Sequence, residues 1–353
     1  MDSKTRIMKS LNFQTPDRIG RFDVFWPEFK ECCQQELGLQ QNTSLEEYFE
    51  IDIHIAVPDE TPFPSRAAVL SDDGVYITER TGFGSVIRKK KNGYFFHFLE
   101  PVIRSRDEWS SLLFESAALD SRYDSWEREV REVKGKGLCV FGKIGGPYIR
   151  TGFVRGESEW LMDIAGDPDF ARETAVRYAE HLLAIGLEEL KRGDLYDTGI
   201  WIFDDMGHNT GPIMSPESFE YIFYPAYKAL VQGLKKAGAS KVGLHSDGDI
   251  RLLLDMLIDA GIDLINPVEP KAGMSIPQLR HMYGTKLAYV GGMCNTHILP
   301  SGSEEEIRRS VLEILEIARD GGVVIGAHSI GPDISLQAYK YYYETVLRFG
   351  QWE

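Results

Sequence analysis

Two imidazoles and two carboxylates follow apolar runs in the second half of the sequence. "KVGLHSDGDI" places His245 and Asp247 after one run, "GIDLINPVEP" places Glu269 after the next, and "GVVIGAHS" ends close to His328. Nitrogen and oxygen donors of these types can bind a catalytic divalent metal, with Zn, Mn and Fe all compatible. The same groups could form a metal-free pocket for acid–base catalysis and hydrogen bonding. The residue types leave both chemistries open.

Two further polar residues follow apolar runs in the same way. Asp204 ends "TGIWIFDD", and Asn295 follows "YVGGMC". An aspartate after a strand is often only the cap of the next helix, and Asp205 and Asp249 fit that role. Because polar groups recur at so many run ends, we expect Asp204 and Asn295 to line one pocket with the two imidazoles and the two carboxylates.

The elements that position these residues are strands alternating with helices. From about residue 136, six apolar runs are separated by helical patterns, such as the Asp-capped segment that closes on Gly193. Pro225 must kink or split the helix in which it lies. Such alternation implies parallel strands, in either an open doubly wound sheet or a barrel. No G-x-G-x-x-G follows the first strand, and one or two strands from residues 18–100 would complete eight. The pattern therefore predicts an α/β fold, a (β/α)8 TIM barrel.

The first hundred residues are less regular than the rest. "RIGRFDVFW" predicts a strand, and residues 74–103 alternate around Gly and Asn-Gly, which predicts two or three antiparallel strands. We expect this part to be an N-terminal extension over the barrel mouth. The prediction is a single domain over 1–353, with 1–100 as an elaboration and 135–350 as the barrel core.

Composition restricts the partners. The net charge of −15 disfavours nucleic acid and anionic membranes, because phosphates require clustered lysines and arginines. No apolar segment follows the first residues and no run approaches about 18 apolar residues, so neither a leader nor a membrane span is expected. The four cysteines form no C-x-x-C pair, so neither a disulfide framework nor a cysteine zinc site is expected. The expectation is a soluble, reduced, cytoplasmic protein that acts on a small-molecule substrate.

Five segments carry a family resemblance: "IFDDMGHNTGPIMSPESF", "KVGLHSDGDI", "GIDLINPVEPKAGM", "YVGGMCNTHIL" and "GAHSIGPDISLQ". They resemble the uroporphyrinogen decarboxylase superfamily, which includes corrinoid-dependent methyltransferases and is related to cobalamin-independent methionine synthase. The resemblance covers roughly residues 135 to 350, and more loosely the start, through "TPDRIGRFDVFW". It implies a (β/α)8 barrel with its site at the carboxyl ends of the strands.

Departures from the family pattern narrow the expected activity. Porphyrinogen decarboxylases carry an Arg-Gln-Ala-Gly-Arg loop near the N-terminus that binds substrate carboxylates, whereas this sequence has "FWPEFKECC" there. Aromatic and acidic groups would repel a polycarboxylate. We therefore expect negligible turnover of uroporphyrinogen, although His328 stands where that family has a histidine.

The thiol-using methyltransferases of the superfamily bind zinc through His-x-Cys and a distant Cys, and the methionine synthases add a Glu. By this resemblance His245 and Glu269 match ligands, while Asp247 and His328 stand at the cysteine positions. Oxygen and nitrogen ligands would make a bound metal a stronger Lewis acid, less specialised for a thiolate.

The resemblance implies a methyltransferase that moves a methyl group between a corrinoid carried by a partner protein and a small acceptor or donor. A divalent metal, zinc first, would be its cofactor, held by His245, Asp247, Glu269 and His328. The alternatives are a carboxy-lyase acting on a cyclic or aromatic acid, and a non-catalytic barrel that binds a corrinoid or tetrapyrrole.

Overall fold

The computed structural model describes residues 1–39, 43–91, 93 and 96–352. In chain order its strands are β1 (Gly20–Phe25), β2 (Ile53–Ala56), β3 (Ala68–Asp72), β4 (Tyr76–Arg80), β5 (Val86–Lys90), β6 (Phe96–Glu100), β7 (Cys139–Gly145), β8 (Gly199–Phe203), β9 (Gly207–His208), β10 (Gly211–Pro212), β11 (Lys241–His245), β12 (Leu264–Val268), β13 (Ala288–Gly292) and β14 (Val323–Ile330).

The α-helices are α1 (Ser3–Leu11), α2 (Pro27–Leu37), α3 (Leu45–Tyr48), α4 (Arg106–Ser111), α5 (Asp124–Gly135), α6 (Pro147–Arg155), α7 (Glu157–Gly166), α8 (Pro168–Gly193), α9 (Pro216–Ser218), α10 (Tyr224–Lys236), α11 (Leu254–Ala260), α12 (Ile276–Tyr283), α13 (Ile298–Ser301), α14 (Glu304–Ala318) and α15 (Leu336–Phe349). Short 3-10 turns cover Pro64–Arg66, Asp120–Arg122, Arg251–Leu253 and Pro270–Ala272. None of the described helices is both long and apolar enough to cross a membrane.

Eight of the described strands form one parallel sheet in the order β1-β14-β13-β12-β11-β8-β7-β2. The two ends of this order meet where the Asp52 amide donates to the Arg21 carbonyl, so the sheet curls into a nearly closed barrel. The predicted (β/α)8 barrel is confirmed. The six runs after residue 136 all form barrel strands, and β1 and β2 from the first hundred residues complete the eight.

Local signals in the sequence set the helix ends around the barrel. Asp167 accepts a hydrogen bond from the Phe170 amide at the start of α8, and Ser303 forms a capping box with Glu306 at the start of α14. Pro225 lies in the first turn of α10, where its missing N–H costs nothing. A π-helical turn over Phe219–Phe223 precedes it, so the predicted interruption at this proline is confirmed.

Aromatic side chains fill the interior of the barrel below its mouth. Trp201 on β8 contacts Phe141 on β7 and Phe22 on β1, with ring centroids 5.8 and 5.4 Å apart. Gly243 on β11 leaves room for the indole, since a Cβ there would lie 2.9 Å from Trp201 Cδ1. Packed layers of this kind close the lower part of the barrel, which leaves the strand ends for function.

A second sheet comes from the first hundred residues. It is antiparallel, in the order β3-β4-β5-β6. The predicted antiparallel strands in residues 74–103 are present as β4, β5 and β6, and β3 adds a fourth. Phe83, Phe96 and Phe98 contact Phe153 of α6. Because α6 directly follows the end of β7, this contact places the sheet on the side of the barrel at which the parallel strands terminate.

Candidate functional site at the strand ends

His245 is the last residue of β11, and two neighbours fix its ring. Phe203 stacks on it at a centroid distance of 4.3 Å and an interplanar angle of 9°. Its Nδ1 lies 2.7 Å from Asn266 Oδ1, and the Asn266 amide nitrogen donates to the Val290 carbonyl. Since the amide oxygen therefore faces the ring, Nδ1 must carry the proton and donate it. This leaves the Nε2 lone pair free.

Carboxylates and a second imidazole surround that lone pair. Asp247 Oδ1 lies 3.5 Å from His245 Nε2 and 3.4 Å from His328 Nε2, and the two imidazole centroids are 5.2 Å apart. Asp205 Oδ1 is 3.8 Å from His245 Nε2 and accepts a hydrogen bond from the Asp247 amide. The predicted convergence of His245, Asp247 and His328 is thus found at one point of the barrel rim.

His328 adopts a left-handed backbone conformation, with φ of +66°, that is uncommon for a residue with a side chain. Both of its neighbours are held. The Ala327 amide donates to the Asp23 carboxylate, and Asn295 Nδ2 donates to the Ser329 carbonyl at 3.1 Å. Strained backbone of this type persists only where surrounding contacts impose it. Asp23 and Asn295 therefore aim the His328 ring into the site.

Glu269 lies on the other side of His328. Its Oε1 is 3.8 Å from His328 Nδ1 and 3.0 Å from Lys271 Nζ, and its Oε2 accepts the Gly248 amide at 2.7 Å. Glu269 thus faces Nδ1 of the His328 ring, whereas Asp247 lies near Nε2 of the same ring. A carboxylate behind a histidine in this way sets the ring's tautomer and orientation. The structure brings Glu269 to the site as a partner of His328.

Burial and neighbouring charges shift the pKa of His245 downward and the pKa of Asp247 upward. Burial, together with the charge of His328, lowers the pKa of His245 to about 4, so this imidazole is neutral at pH 7. Burial, with the charges of Asp205 and Glu269 added, raises the pKa of Asp247 to about 6. Asp247 can therefore exchange a proton close to neutral pH, while His245 acts as a neutral donor of its Nε2 lone pair.

For the second carboxylate and imidazole, Glu269 and His328, the directions are reversed: the pKa of Glu269 is lowered and the pKa of His328 is raised. Burial opposes ionisation of Glu269, but the nearby His328 imidazole, the hydrogen bond from the Gly248 amide and the Lys271 ammonium outweigh it and hold the pKa of Glu269 at about 2. Burial likewise opposes protonation of His328, yet Glu269 and Asp247 raise the pKa of His328 above its ordinary value. The site thus has a neutral imidazole on one side and a charge-paired imidazole on the other.

The donor set fits a divalent cation. His245, Asp247 and His328 each offer one atom, and these atoms all lie within 4.8 Å of one another. Asp247 Oδ1 is buried without a hydrogen-bond partner, which is costly unless a ligand completes it. Two imidazole nitrogens and a carboxylate oxygen suit zinc and leave a coordination position for substrate.

Asp204, predicted to line the pocket, points elsewhere. It is fully buried and accepts hydrogen bonds from the Tyr148 and Ile149 amides at the start of α6 and from the Tyr227 hydroxyl at 2.6 Å. Burial raises its pKa to about 7 although all three donors oppose the shift. The described side-chain contacts of Asp204 join β8 to α6 and α10, and only its backbone amide meets His245, by donating to the His245 carbonyl.

The Gly-Gly-Pro end of β7 explains this placement. A Cβ on Gly146 would lie 2.1 Å from the Asp204 carboxyl carbon, so only glycine lets the carboxylate reach the helix start. A Cβ on Gly145 would lie 2.1 Å from Arg150 Nε. Both glycines thus make room for a charged side chain.

Three contributors were missed at the sequence level. Asp205 fits a helix cap in the sequence, yet it approaches His245, while Asp249 accepts the Arg251 amide and pairs with the Arg251 guanidinium. The sequence-based prediction gave no role to Asn266 or Asp23. A position at the end of an apolar run is the signal that Asp205 and Asn266 share with the residues identified correctly. Asp23 faces His328 in the register of β1 and β14, which no local pattern reveals.

Comparisons with known proteins identify the family of this chain. A family profile described as "Uroporphyrinogen decarboxylase (URO-D)" matches residues 67–349, most of the chain. The chain belongs to the uroporphyrinogen decarboxylase family. The resemblance inferred from the strand-end motifs is confirmed. A search among curated proteins finds no match.

Two solved structures are similar to this chain. A methyltransferase from Methanosarcina mazei is similar over 99% of both chains, with 16% identity and a TM-score of 0.71. A putative vitamin-B12 independent methionine synthase from Listeria monocytogenes covers 95% of this chain and 96% of its own, with 11% identity and a TM-score of 0.41. The first similarity establishes a shared fold.

Proposed function

We propose that this family member is a methyltransferase that moves a methyl group between a corrinoid carried by a partner protein and a small acceptor or donor. The observation that carries the proposal is the convergence of His245, Asp247 and His328 at one point, with a buried carboxylate oxygen left unpartnered. Family membership supports an enzyme, and the fold shared with a methyltransferase is compatible with this reaction.

His245, Asp247 and His328 are the residues that would hold a divalent metal, with zinc the first choice for this donor set. When bound, such an ion supplies Lewis acidity that lowers the pKa of an acceptor's thiol or hydroxyl. Imidazole and carboxylate ligands donate less charge to a metal ion than thiolates do, so the ion keeps more positive charge. Such an ion favours an acceptor whose reacting atom is harder than a thiolate sulfur.

The protein's own groups prepare this site. Asn266 holds the proton on His245 Nδ1 and keeps Nε2 free. Glu269 faces His328 Nδ1 and orients that ring, while Asp23 and Asn295 fix its backbone. The half-exposed Asp205, whose Oδ1 lies 3.8 Å from His245 Nε2 and which is not one of these three ligands, can take up the proton that the acceptor loses.

The test uses free methylcobalamin and a panel of small thiols, alcohols and amines, with the protein supplied with Zn²⁺. Demethylation is followed by the change in corrinoid absorbance. We expect acceptor-dependent demethylation that His245→Ala abolishes. His54→Ala is the matched control, because His54 pairs with Glu129 away from the strand ends. Demethylation that is equal in both variants would refute the proposal.

A carboxy-lyase acting on a cyclic or aromatic acid is the second candidate. The observation in its favour is the raised pKa of Asp247, about 6, because decarboxylation needs a proton donor for the carbanion that remains. Release of CO₂ from a panel of aromatic acids, lost in Asp247→Asn, would support it.

Uroporphyrinogen should not react, and turnover on the order of 1 per second would contradict that expectation. Tight corrinoid binding without either reaction, unchanged by His245→Ala, would indicate a binding protein.

A further inference from the structure

A second buried cluster of ionisable groups lies in the same barrel and is not used by the proposed chemistry. Glu60, in the loop after β2, accepts hydrogen bonds from Lys143 Nζ at 2.9 Å and from the Gly145 amide, and pairs with Arg150 at 2.5 Å. The three side chains are only 5–13% exposed. We call Glu60, Lys143 and Arg150 the cationic triad.

The triad carries more positive than negative charge. Lys143 and Arg150 share the single carboxylate of Glu60, whose pKa is held at about 2 against burial by these two cations. Burial lowers the pKa of Lys143, and the adjacent Glu60 carboxylate opposes that shift. Glu189, which accepts the Lys143 amide, adds no charge, because burial raises its pKa well above the ordinary value. Arg150 Nε is buried and lacks a hydrogen-bond partner. A buried excess charge with an unused donor is costly unless an anion completes it.

Lys143 of the triad points into the barrel, towards the site. On β7, positions 142 and 144 face α8. A Cβ on Gly142 would meet Glu189, and the Ile144 side chain lies against Gly186, both on α8. The alternate position, Lys143, therefore points into the barrel. Its Nζ lies 5.4 Å from the centroid of the Phe203 ring, on which His245 stacks. One aromatic ring thus contacts both the triad and the site.

We infer that Lys143 and Arg150 form an oxyanion subsite, so that the substrate is a small molecule with an anionic group that binds there while its reacting end lies at His245, Asp247 and His328. The inference rests on the proposed function for the reacting end only. Glu60 occupies the cations in the empty protein and holds them in place. An incoming oxyanion would take Arg150 Nε and the remaining donors of Lys143, which has three.

The alternative is that the triad only ties the loop after β2 to the barrel. The two roles predict opposite consequences for Glu60. In an anion subsite, Glu60→Gln removes the competing carboxylate and strengthens anion binding. In a purely structural ion pair, Glu60→Gln and Lys143→Met weaken the fold and leave anion binding unchanged.

Calorimetric titration of the metal-free protein, in EDTA, with acetate, benzoate and inorganic phosphate tests this, with chloride at equal ionic strength as the reference. We expect at least one oxyanion to bind, affinity to fall about tenfold or more in Lys143→Met and in Arg150→Met, and to rise about tenfold in Glu60→Gln. Lys89→Met is the control, since Lys89 pairs with Glu79 on the antiparallel sheet. Its anion affinity should equal that of the wild type.

Absence of oxyanion binding, or binding unaltered by Lys143→Met and Glu60→Gln, would overturn the inference. If Lys143→Met does not fold, the rise in anion affinity expected in Glu60→Gln still decides between an anion subsite and a purely structural ion pair. No methyl donor or metal is needed, so a failed methyl-transfer assay leaves this result standing, and the reverse also holds. Comparing the three anions shows whether a carboxylate or a phosphate is preferred.

Discussion

Asp204 and Asp247 stand at the ends of neighbouring strands of the barrel and have similarly raised pKa values, about 7 and about 6. They differ in their partners. Asp204 is fully buried, with two backbone amides and a tyrosine hydroxyl donating to it. Asp247 has a half-exposed side chain whose Oδ1 has no hydrogen-bond partner and faces two imidazoles. A raised pKa alone thus does not identify a functional carboxylate, whereas an unsatisfied oxygen among potential ligands does.

The largest expected effect is that of Asp247→Ala. Methyl transfer should fall by about 10³-fold, within the range for a lost acid–base group, and Zn²⁺ affinity by roughly 100-fold or more, because the loss of an outer partner already costs 10–100-fold. The melting temperature should hardly change, since no donor loses its acceptor at Oδ1. Calorimetry and thermal unfolding measure the two quantities. Unaltered activity and Zn²⁺ affinity would remove Asp247 from the site.

Asp204→Ala should lower the stability of the protein and leave its Zn²⁺ affinity almost unchanged. The Tyr148 and Ile149 amides and the Tyr227 hydroxyl would lose their acceptor inside the protein. At about 1 kcal/mol for each buried donor, the free energy of unfolding should fall by about 3 kcal/mol. Urea unfolding measures this loss, and Zn²⁺ affinity should stay within a factor of two or so, on the order of experimental error. A stable variant that binds Zn²⁺ poorly would assign Asp204 to the site after all.

The pH dependence of stability separates Asp204 from an ordinary cap. Because folding raises its pKa from 3.8 to about 7, the folded state binds this proton more tightly than the unfolded chain. The resulting stabilisation is complete below about pH 4 and is lost as the pH rises through 7. Asp204→Asn should therefore remove about 2 kcal/mol of the decline in wild-type stability between pH 5 and pH 8. Parallel curves for the two proteins in urea unfolding would mean that Asp204 titrates normally.

Asn266→Ala tests the positioning of His245. Without the amide oxygen, the ring can place its proton on either nitrogen, so Zn²⁺ affinity should fall about tenfold, at the low end for an outer hydrogen-bond partner. Nitrogen NMR of labelled histidine should show a mixture of tautomers in the variant and a single one in the wild type. A single tautomer in both proteins would exclude Asn266 as the group that sets it.

The smallest effects distinguish two tyrosines of α15. Tyr339 donates to the Asp23 carboxylate that holds the strand before His328, whereas the buried Tyr342 hydroxyl has no partner. Tyr339→Phe should lower the free energy of unfolding by about 1 kcal/mol and weaken Zn²⁺ binding slightly, and Tyr342→Phe should do neither. Equal values for the two variants would show that the contact between Tyr339 and Asp23 does not support the site.

The positions of His245, Asp247, Glu269 and His328 could be predicted because each depends on a local pattern. A buried apolar run that ends in a polar residue marks the end of a strand, and alternation with helices makes the strands parallel. Parallel strands in a barrel present these ends at one rim. The barrel and most of the candidate site therefore follow from signals within a few residues of each side chain.

The direction in which each side chain points required the tertiary structure. Asp204 turns to the start of α6 because Gly146 leaves space, and Asp205 turns towards His245 instead. Asp23 accepts the Ala327 amide, on the strand that carries His328, from 304 residues away, and Glu60 reaches Lys143 across 83 residues. Such pairs exist only once the barrel has closed. The sequence by itself determined which polar side chains the rim carries. Barrel closure decided which of those side chains have hydrogen-bond partners and which remain free to bind, because the partners of a buried polar atom come from residues distant in the chain.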